Sequence, residues 1–136
     1  MIVVDTNVIA YLYLPGDYTD LAEHLLMQEP EWCAPLLWRS ELRNVLAHYL
    51  RKKILSFDQV FTIQTEAEAL LSGREYELDS YNVLRDVENS ECSAYDCEFV
   101  VLAKRLGTRL VTMDKKVLNA FPDIAVSLSA AVDLYP

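Results

Sequence analysis

Apolar and polar positions along the chain follow two rhythms. Ile2-Val3-Val4 is a continuous β-branched run, which reads as a strand buried on both faces, the kind found in parallel sheets covered by helices. It stops abruptly at Asp5-Thr6-Asn7. Residues 8–14 then read as helix until Pro15-Gly16 breaks it. Leu21, Leu25 and Leu26 recur at helical spacing within residues 17–28, and Glu29-Pro30 ends that second helix. Trp32-Cys33-Ala34 reads as a short strand, and Pro35 suits the first turn of a long helix over residues 36–52. The stripe of that helix is Leu42, Val45, Leu46, Tyr49 and Leu50.

Ser56 and Gln59 have the spacing of a capping box for a fourth helix over 57–71, closed by Gly73. A short strand is expected within 74–78 and a helix over 80–88. Cys92-Ser93 introduces a further helix that ends at Leu106-Gly107. Arg109-Leu110-Val111-Thr112 reads as a strand, followed by a short helix over 115–121 and a last strand, Ile124-Ala125-Val126. The tail beyond is weakly patterned. Strands alternating with helices predict an α/β fold, a three-layer α/β/α arrangement around a central, mostly parallel sheet of four to five short strands.

Composition narrows this. With 136 residues and 52% hydrophobic content, the chain is expected to form one domain over residues 1–136. No apolar run nears the ~18 residues of a membrane span. No basic leader precedes the first strand, so no signal peptide and a cytoplasmic location are expected. Cys33, Cys92 and Cys97 form no C-x-x-C pair. This argues against a disulfide framework and a zinc site, and they read as small buried hydrophobes. The net charge of −9, from 21 acids against 12 bases, argues against non-specific coating of nucleic acid. Metal ions can still neutralise an acidic centre that acts on it.

Four acids do not fit a solvated face. Asp5 and Asp114 each follow an apolar strand. Ligands of open α/β sheets bind outside such carboxyl ends. Asp5 equally suits the N-cap of the helix that starts near Thr6, and both readings stand. Asp96 shares a helix face with Phe99, Val100 and Ala103. A buried carboxylate is costly unless paired or bound to metal, and the ~0.3–1 kcal/mol of a helix dipole does not cover it. Its plainer reading is an acid bonded to backbone amides. Glu41 borders the long helix's stripe and otherwise reads as an exposed early-helix acid. Together the four can converge on one sheet edge. Hard cations such as Mg²⁺ and Mn²⁺ take oxygen ligands, and two of them can clamp an in-line displacement at phosphorus. His24 and His48 are isolated and offer no rival constellation.

These stretches resemble the PIN domain family of metal-dependent ribonucleases. The resemblance rests on Val3-Val4-Asp5-Thr6-Asn7-Val8-Ile9 and Ser40-Glu41-Leu42-Arg43-Asn44-Val45-Leu46. It continues through Ser93-Ala94-Tyr95-Asp96-Cys97-Glu98-Phe99-Val100-Val101-Leu102-Ala103 and Leu110-Val111-Thr112-Met113-Asp114. Cys97 stands where the family usually has Ala. The resemblance implies an acidic quartet of Asp5, Glu41, Asp96 and Asp114. Asp5, Asp96 and Asp114 would hold one or two Mg²⁺ or Mn²⁺ ions, with Glu41 completing the site directly or through water. Thr6 or Asn7 and Thr112 would orient carboxylates or water. The implied activity is endonucleolytic hydrolysis of single-stranded RNA. Chain length resembles the VapC-type toxins of toxin–antitoxin pairs, which implies a homodimer and a cognate antitoxin.

Arg39, Arg43, Lys115 and Lys116 are candidate RNA contacts, whereas Arg51-Lys52-Lys53 reads as dipole complementation at a helix C-terminus. Tyr11, Tyr13, Tyr18, Tyr49 and Trp38 read as packing or interface residues. Two other classes compete. A phospho-acceptor receiver domain expects paired acids at the end of its first strand, which Asp5 alone does not supply. A catalytically silent PIN-fold binding module typically lacks quartet acids, and this chain has all four. A PIN nuclease with no antitoxin partner is the remaining alternative.

Overall fold

A computed structural model describes residues 1–136. The chain runs β1 (Ile2–Val4), α1 (Thr6–Tyr13), α2 (Thr19–Gln28), β2 (Trp32–Pro35), α3 (Trp38–Arg51), α4 (Phe57–Leu70), β3 (Glu75–Tyr76), α5 (Ser80–Glu88), α6 (Ala94–Leu106), β4 (Leu110–Val111), α7 (Lys115–Ala120), β5 (Ala125–Val126) and α8 (Leu128–Leu134). The strands form one sheet in the order β3-β2-β1-β4-β5, every neighbouring pair parallel. The expected three-layer α/β/α architecture is what forms.

The β-branched run explains why β1 takes the centre. Ile2, Val3 and Val4 are each fully buried, so both faces of the strand need cover. Right-handed crossovers supply it. The steps β1→β2→β3 carry α1 to α4 onto one face, and the return step β3→β4 carries α5 and α6 to the other. α6 lies across β1, β2 and β4 and buries Phe99, Val100, Leu102 and Ala103. On the opposite side α1 packs on α2 and α3, α3 on α4, and α2 on α8.

Local signals set the helix ends. Ser56 and Gln59 close the expected capping box on α4. The Ser93 hydroxyl accepts from the Asp96 amide to start α6, and Gly107 ends that helix in the left-handed region at φ 65°, a conformation that costs glycine least. Two expectations need correction. Pro35 does not open the long helix; it ends β2, and α3 starts at Trp38. Its missing N–H falls between two ladder bonds, from Ala34 N to Arg74 O and from Leu36 N to Tyr76 O, so the strand tolerates a proline there. The weakly patterned tail forms α8, capped by the Ser127 hydroxyl on the Ala130 amide, with Leu128 and Ala131 buried.

One polar knot ties α3, α4 and β3 together. Arg39 donates twice to Glu75, from Nε and a terminal nitrogen at 2.6 Å each. It also pairs with Glu68 at 3.1 Å. The Trp38 indole N–H donates to the same Glu75 carboxylate at 2.8 Å. These bonds, Arg39 first, hold the Glu75 carboxyl below its ordinary value of 4.5. A depressed folded-state pKa adds stability above the unfolded value that is lost as pH falls through the folded one. Glu75→Gln is therefore expected to cost about 1 kcal/mol at pH 7, discounted for the part-exposed guanidinium. In thermal melts the gap to the wild type should close as pH falls below the ordinary glutamate range. A gap that stays constant with pH would sink this assignment.

Candidate active site

Topology selects the position. From β1 the chain builds outward through β2 and β3, then returns to lay β4 against the other side of β1. The carboxyl ends of β1 and β4 therefore flank the point where strand order reverses, the crevice in which open α/β sheets place ligands. Val4 pairs with Val111, and the Asp5 amide donates to Val111 O at 2.9 Å. That register sets Asp5 beside Thr112. The Thr112 hydroxyl donates to Asp5 Oδ2 at 2.7 Å and accepts from the Asp114 amide at 3.1 Å. The incoming amide aims the hydroxyl hydrogen at the carboxylate.

Asp5 occupies the N-cap position of α1 but makes no side-chain capping bond. The carboxylate is engaged across the sheet by Thr112 and is also pulled on by the Thr6 and Asn7 amides, so both readings of this residue stand side by side. Asp114 does cap, since its Oδ1 accepts from the Lys116 amide at 2.9 Å. Glu41 reaches the same edge because α3 follows β2 and the acid lies in its first turn. The buried Thr6 hydroxyl donates to Glu41 Oε1 at 2.7 Å. α6 ends at the opposite edge, where the Thr108 hydroxyl donates to Met1 O at 2.8 Å, so its N-terminal turn carries Asp96 back to the carboxyl edge. Ser93 takes the Asp96 amide at 3.1 Å, and the same hydroxyl lowers the Asp96 carboxyl.

The acids feel one another. Burial pushes the Asp5 carboxyl up, and the charge of Asp96 adds to it; the Thr112 bond and the Thr6 and Asn7 amides pull the other way. Burial also raises Glu41, against the Thr6 bond and with the charges of Asp5, Asp96 and Glu98. Asp96 is raised by burial and then by Asp114, while Ser93 and the Lys116 ammonium oppose. Glu98 is two residues from Asp96 on α6, a spacing that puts it on another helix face. The structure half-buries it, burial raises it, and its charge weighs on Glu41.

Other candidates divide. Thr6, not Asn7, makes the hydroxyl contact to the quartet; Asn7 is exposed and meets the site through its backbone amide, which acts on Asp5. Arg39 is paired with Glu75 and Glu68. Arg43 lines a groove between α3 and α4. Lys115 is exposed, and of the two lysines only Lys116 acts on Asp96.

The donor set is all oxygen, which suits a hard cation. No three of the acids stand close enough to enclose an ion unaided. Mg²⁺ commonly keeps several waters and takes only one or two carboxylates, a demand this open cluster meets. Thr112 occupies one oxygen of Asp5 and Thr6 one of Glu41, and each acid keeps a second oxygen for a ligand.

The model of the PIN domain matches residues 2–125. The chain belongs to the PIN domain family. The matched span runs from β1 into β5 and includes all four acids. This PIN domain is 29% identical over 126 residues to Ribonuclease VapC3 of Pyrobaculum aerophilum, covering 89% of this chain and 95% of that relative. Among solved structures, FitAcB from Neisseria gonorrhoeae superposes with a TM-score of 0.72 over 93% of this chain and 96% of that one. At 21% identity that is a likeness of fold.

Two substitutions test the electrostatics. Asp5→Asn removes one charge from a half-buried repulsive cluster and keeps an acceptor for Thr112. In chelator it is expected to raise stability by about 1 kcal/mol, a few degrees in melting temperature. Thr112→Val leaves the Asp5 carboxylate without its donor and is expected to lower stability by about 1–2 kcal/mol. A drop for Asp5→Asn would contradict the repulsive cluster.

Proposed function

We propose that this PIN domain is a divalent-metal-dependent endoribonuclease that hydrolyses phosphodiester bonds in single-stranded RNA. The observation that carries the reading is the meeting of Asp5, Glu41, Asp96 and Asp114 from four separate elements at the strand-order reversal. They repel one another, and Lys116 is the one cation among the charges that shift them. A cation joining the cluster would offset that cost. Likeness to a ribonuclease relative supports the same reading.

Asp5, Asp96 and Asp114 would hold one or two Mg²⁺ or Mn²⁺ ions, with Glu41 completing the site. Such a cation supplies Lewis-acid stabilisation of the phosphoryl group and an activated water. The chain's own residues do the positioning. Thr112 and Thr6 fix the rotamers of Asp5 and Glu41, as outer-shell hydroxyls do. Lys116, at the start of α7, offers an ammonium to a phosphate oxygen. Glu98 keeps the local field negative around Glu41.

The same reading makes the chain the toxin of a toxin–antitoxin pair, acting in the cytoplasm as a homodimer restrained by an antitoxin. Surface chemistry supports an assembly. Phe57 and Phe61 stack at 6.0 Å on α4 while 66% and 62% exposed, with Ile54 exposed nearby in sequence. Both rings border a cavity of about 470 Å³ between α3 and α4. Exposed apolar surface of this kind marks interaction sites. No helix is long and apolar enough to cross a membrane.

The test is cleavage of a labelled single-stranded RNA. Wild type is expected to cut in Mg²⁺ or Mn²⁺ and not in chelator, and Asp5→Asn or Asp96→Asn to lose more than about a hundredfold. RNA that is bound but never cut would leave a silent binding module as the better reading. Growth arrest on expression, relieved by a small neighbouring gene product, tests the toxin assignment.

A further inference from the structure

Beside the carboxylates lies a second hollow that the hydrolytic reading does not use. A cavity of about 260 Å³ opens between α1, the loop that follows it, and α3. Asn7, Tyr11 and Tyr18 line one side, Val45 and Tyr49 the other. Its place relative to the quartet follows from helix geometry. Asn7 lies two residues beyond Asp5, and Val45 lies one turn beyond Glu41, a rise of about 6 Å. The same two helices that deliver Asp5 and Glu41 therefore wall the cavity immediately next door. The Tyr11 hydroxyl confirms the proximity: burial first, then Tyr18, then the charge of Asp5 push its pKa up.

The lining chemistry selects the ligand. The cavity has no Lys, Arg or His, and Asp17 lies on its rim, so it repels phosphate. It offers aromatic faces and one amide. Tyr11 and Tyr18 lie with ring centroids 5.1 Å apart at 41°, Tyr18 is 41% exposed, and Asn7 is exposed, with its side-chain amide outside the quartet's threonine bonds. The volume falls below the ~300 Å³ at which drug-sized pockets begin, enough for one flat heterocycle. The wall is also pre-formed. The Thr19 hydroxyl accepts from the Gly16 amide at 3.0 Å and donates to Tyr11 O at 2.7 Å, which fixes the loop before any ligand arrives and spares the ordering cost.

We propose that this cavity receives one base of the RNA strand, adjacent to the nucleotide whose phosphate meets the carboxylates. Tyr18, Tyr11 and Tyr49 supply the stacking surface, and the Asn7 amide reads the base edge. Stacking tolerates any base, since each has a π-face, while the amide biases the choice. The tyrosines read from the sequence as packing or interface residues thereby become the groups that hold the base, and Asn7 the group that biases which base is held. This inference rests on the nuclease reading above.

The experiment maps the cut in a labelled single-stranded RNA, then replaces the base on each side of it by an abasic residue. In wild type, kcat/KM should fall on the order of tenfold for one flank only. Tyr18→Leu should lose a similar factor on intact RNA and nothing further on the abasic strand, and Tyr18→Phe should retain wild-type behaviour. Tyr49→Leu, on the opposite wall, repeats the test if Tyr18→Leu disturbs the loop. Losses that simply multiply, or an abasic residue that costs nothing on either flank, overturn the proposal. If wild type cuts no RNA, the nuclease reading falls separately. Fluorescence anisotropy of intact and fully abasic RNA in Mn²⁺ then decides this one. Base-dependent affinity abolished by Tyr18→Leu supports it; equal affinity, or no binding, overturns it.

Discussion

β1 is paired on both sides and covered on both faces, and this double confinement organises the rest of the molecule. Three fully buried β-branched residues demand cover above and below. They also demand neighbours left and right, which the chain supplies first from β2 and, much later, from β4. Because the chain must come back to complete β1, strand order reverses there. Because α3 starts just after β2 finishes and α6 ends just before β4 begins, the first turns of α3 and α6 arrive at the same edge. The carboxylates are therefore brought together by the rules that build the sheet, and their side chains need only the two threonine hydroxyls for orientation.

That arrangement works against stability. Asp5, Glu41 and Asp96 are each pushed up by burial and by the charge of at least one neighbouring acid, so in the absence of a cation the folded state stores repulsion at its edge. The threonine bonds offset part of it. The apolar core, continuous from β1 through α6 to α8, carries the remainder. Under the proposed function, the binding free energy of a cation would return to the fold as stability.

Much of the fold was legible in the sequence because its signals are local. Ser93 and Gly107 bracket α6, Ser56 and Gln59 open α4, and Ile2-Val3-Val4 declares a buried strand. The acids were legible for a different reason: Asp96 on an apolar face contradicts its own helix, and only a partner elsewhere resolves the contradiction. What escaped depends on contacts between elements. Pro35 looks like a helix opener until β3 shows which of its neighbours need an N–H. Arg39 looks free until Glu75, 36 residues on, closes on it. Glu98 shares no helix face with Asp96, and its weight on Glu41 exists only across α3 and α6. The tyrosines beside Asp5 come from α1, its loop and α3, and no spacing within one element reveals the hollow they enclose.

The Thr112–Asp5 bond spans 107 residues of sequence, and that separation has a kinetic meaning. A ribosome releases Ile2, Val3 and Val4 among the earliest residues of the domain, yet the β4 side of the strand stays open until Leu110 and Val111 emerge. Non-local parallel pairing is slow because loop closure precedes its reward. Throughout that interval the most apolar strand of the chain presents a bare hydrogen-bonding edge, the kind of surface that other chains add to. Val111, which completes the pairing of β1, is followed at once by the threonine that sets Asp5. The nascent chain therefore completes its central strand and orients its first carboxylate in a single late event, and an unfinished molecule carries the acids without the site.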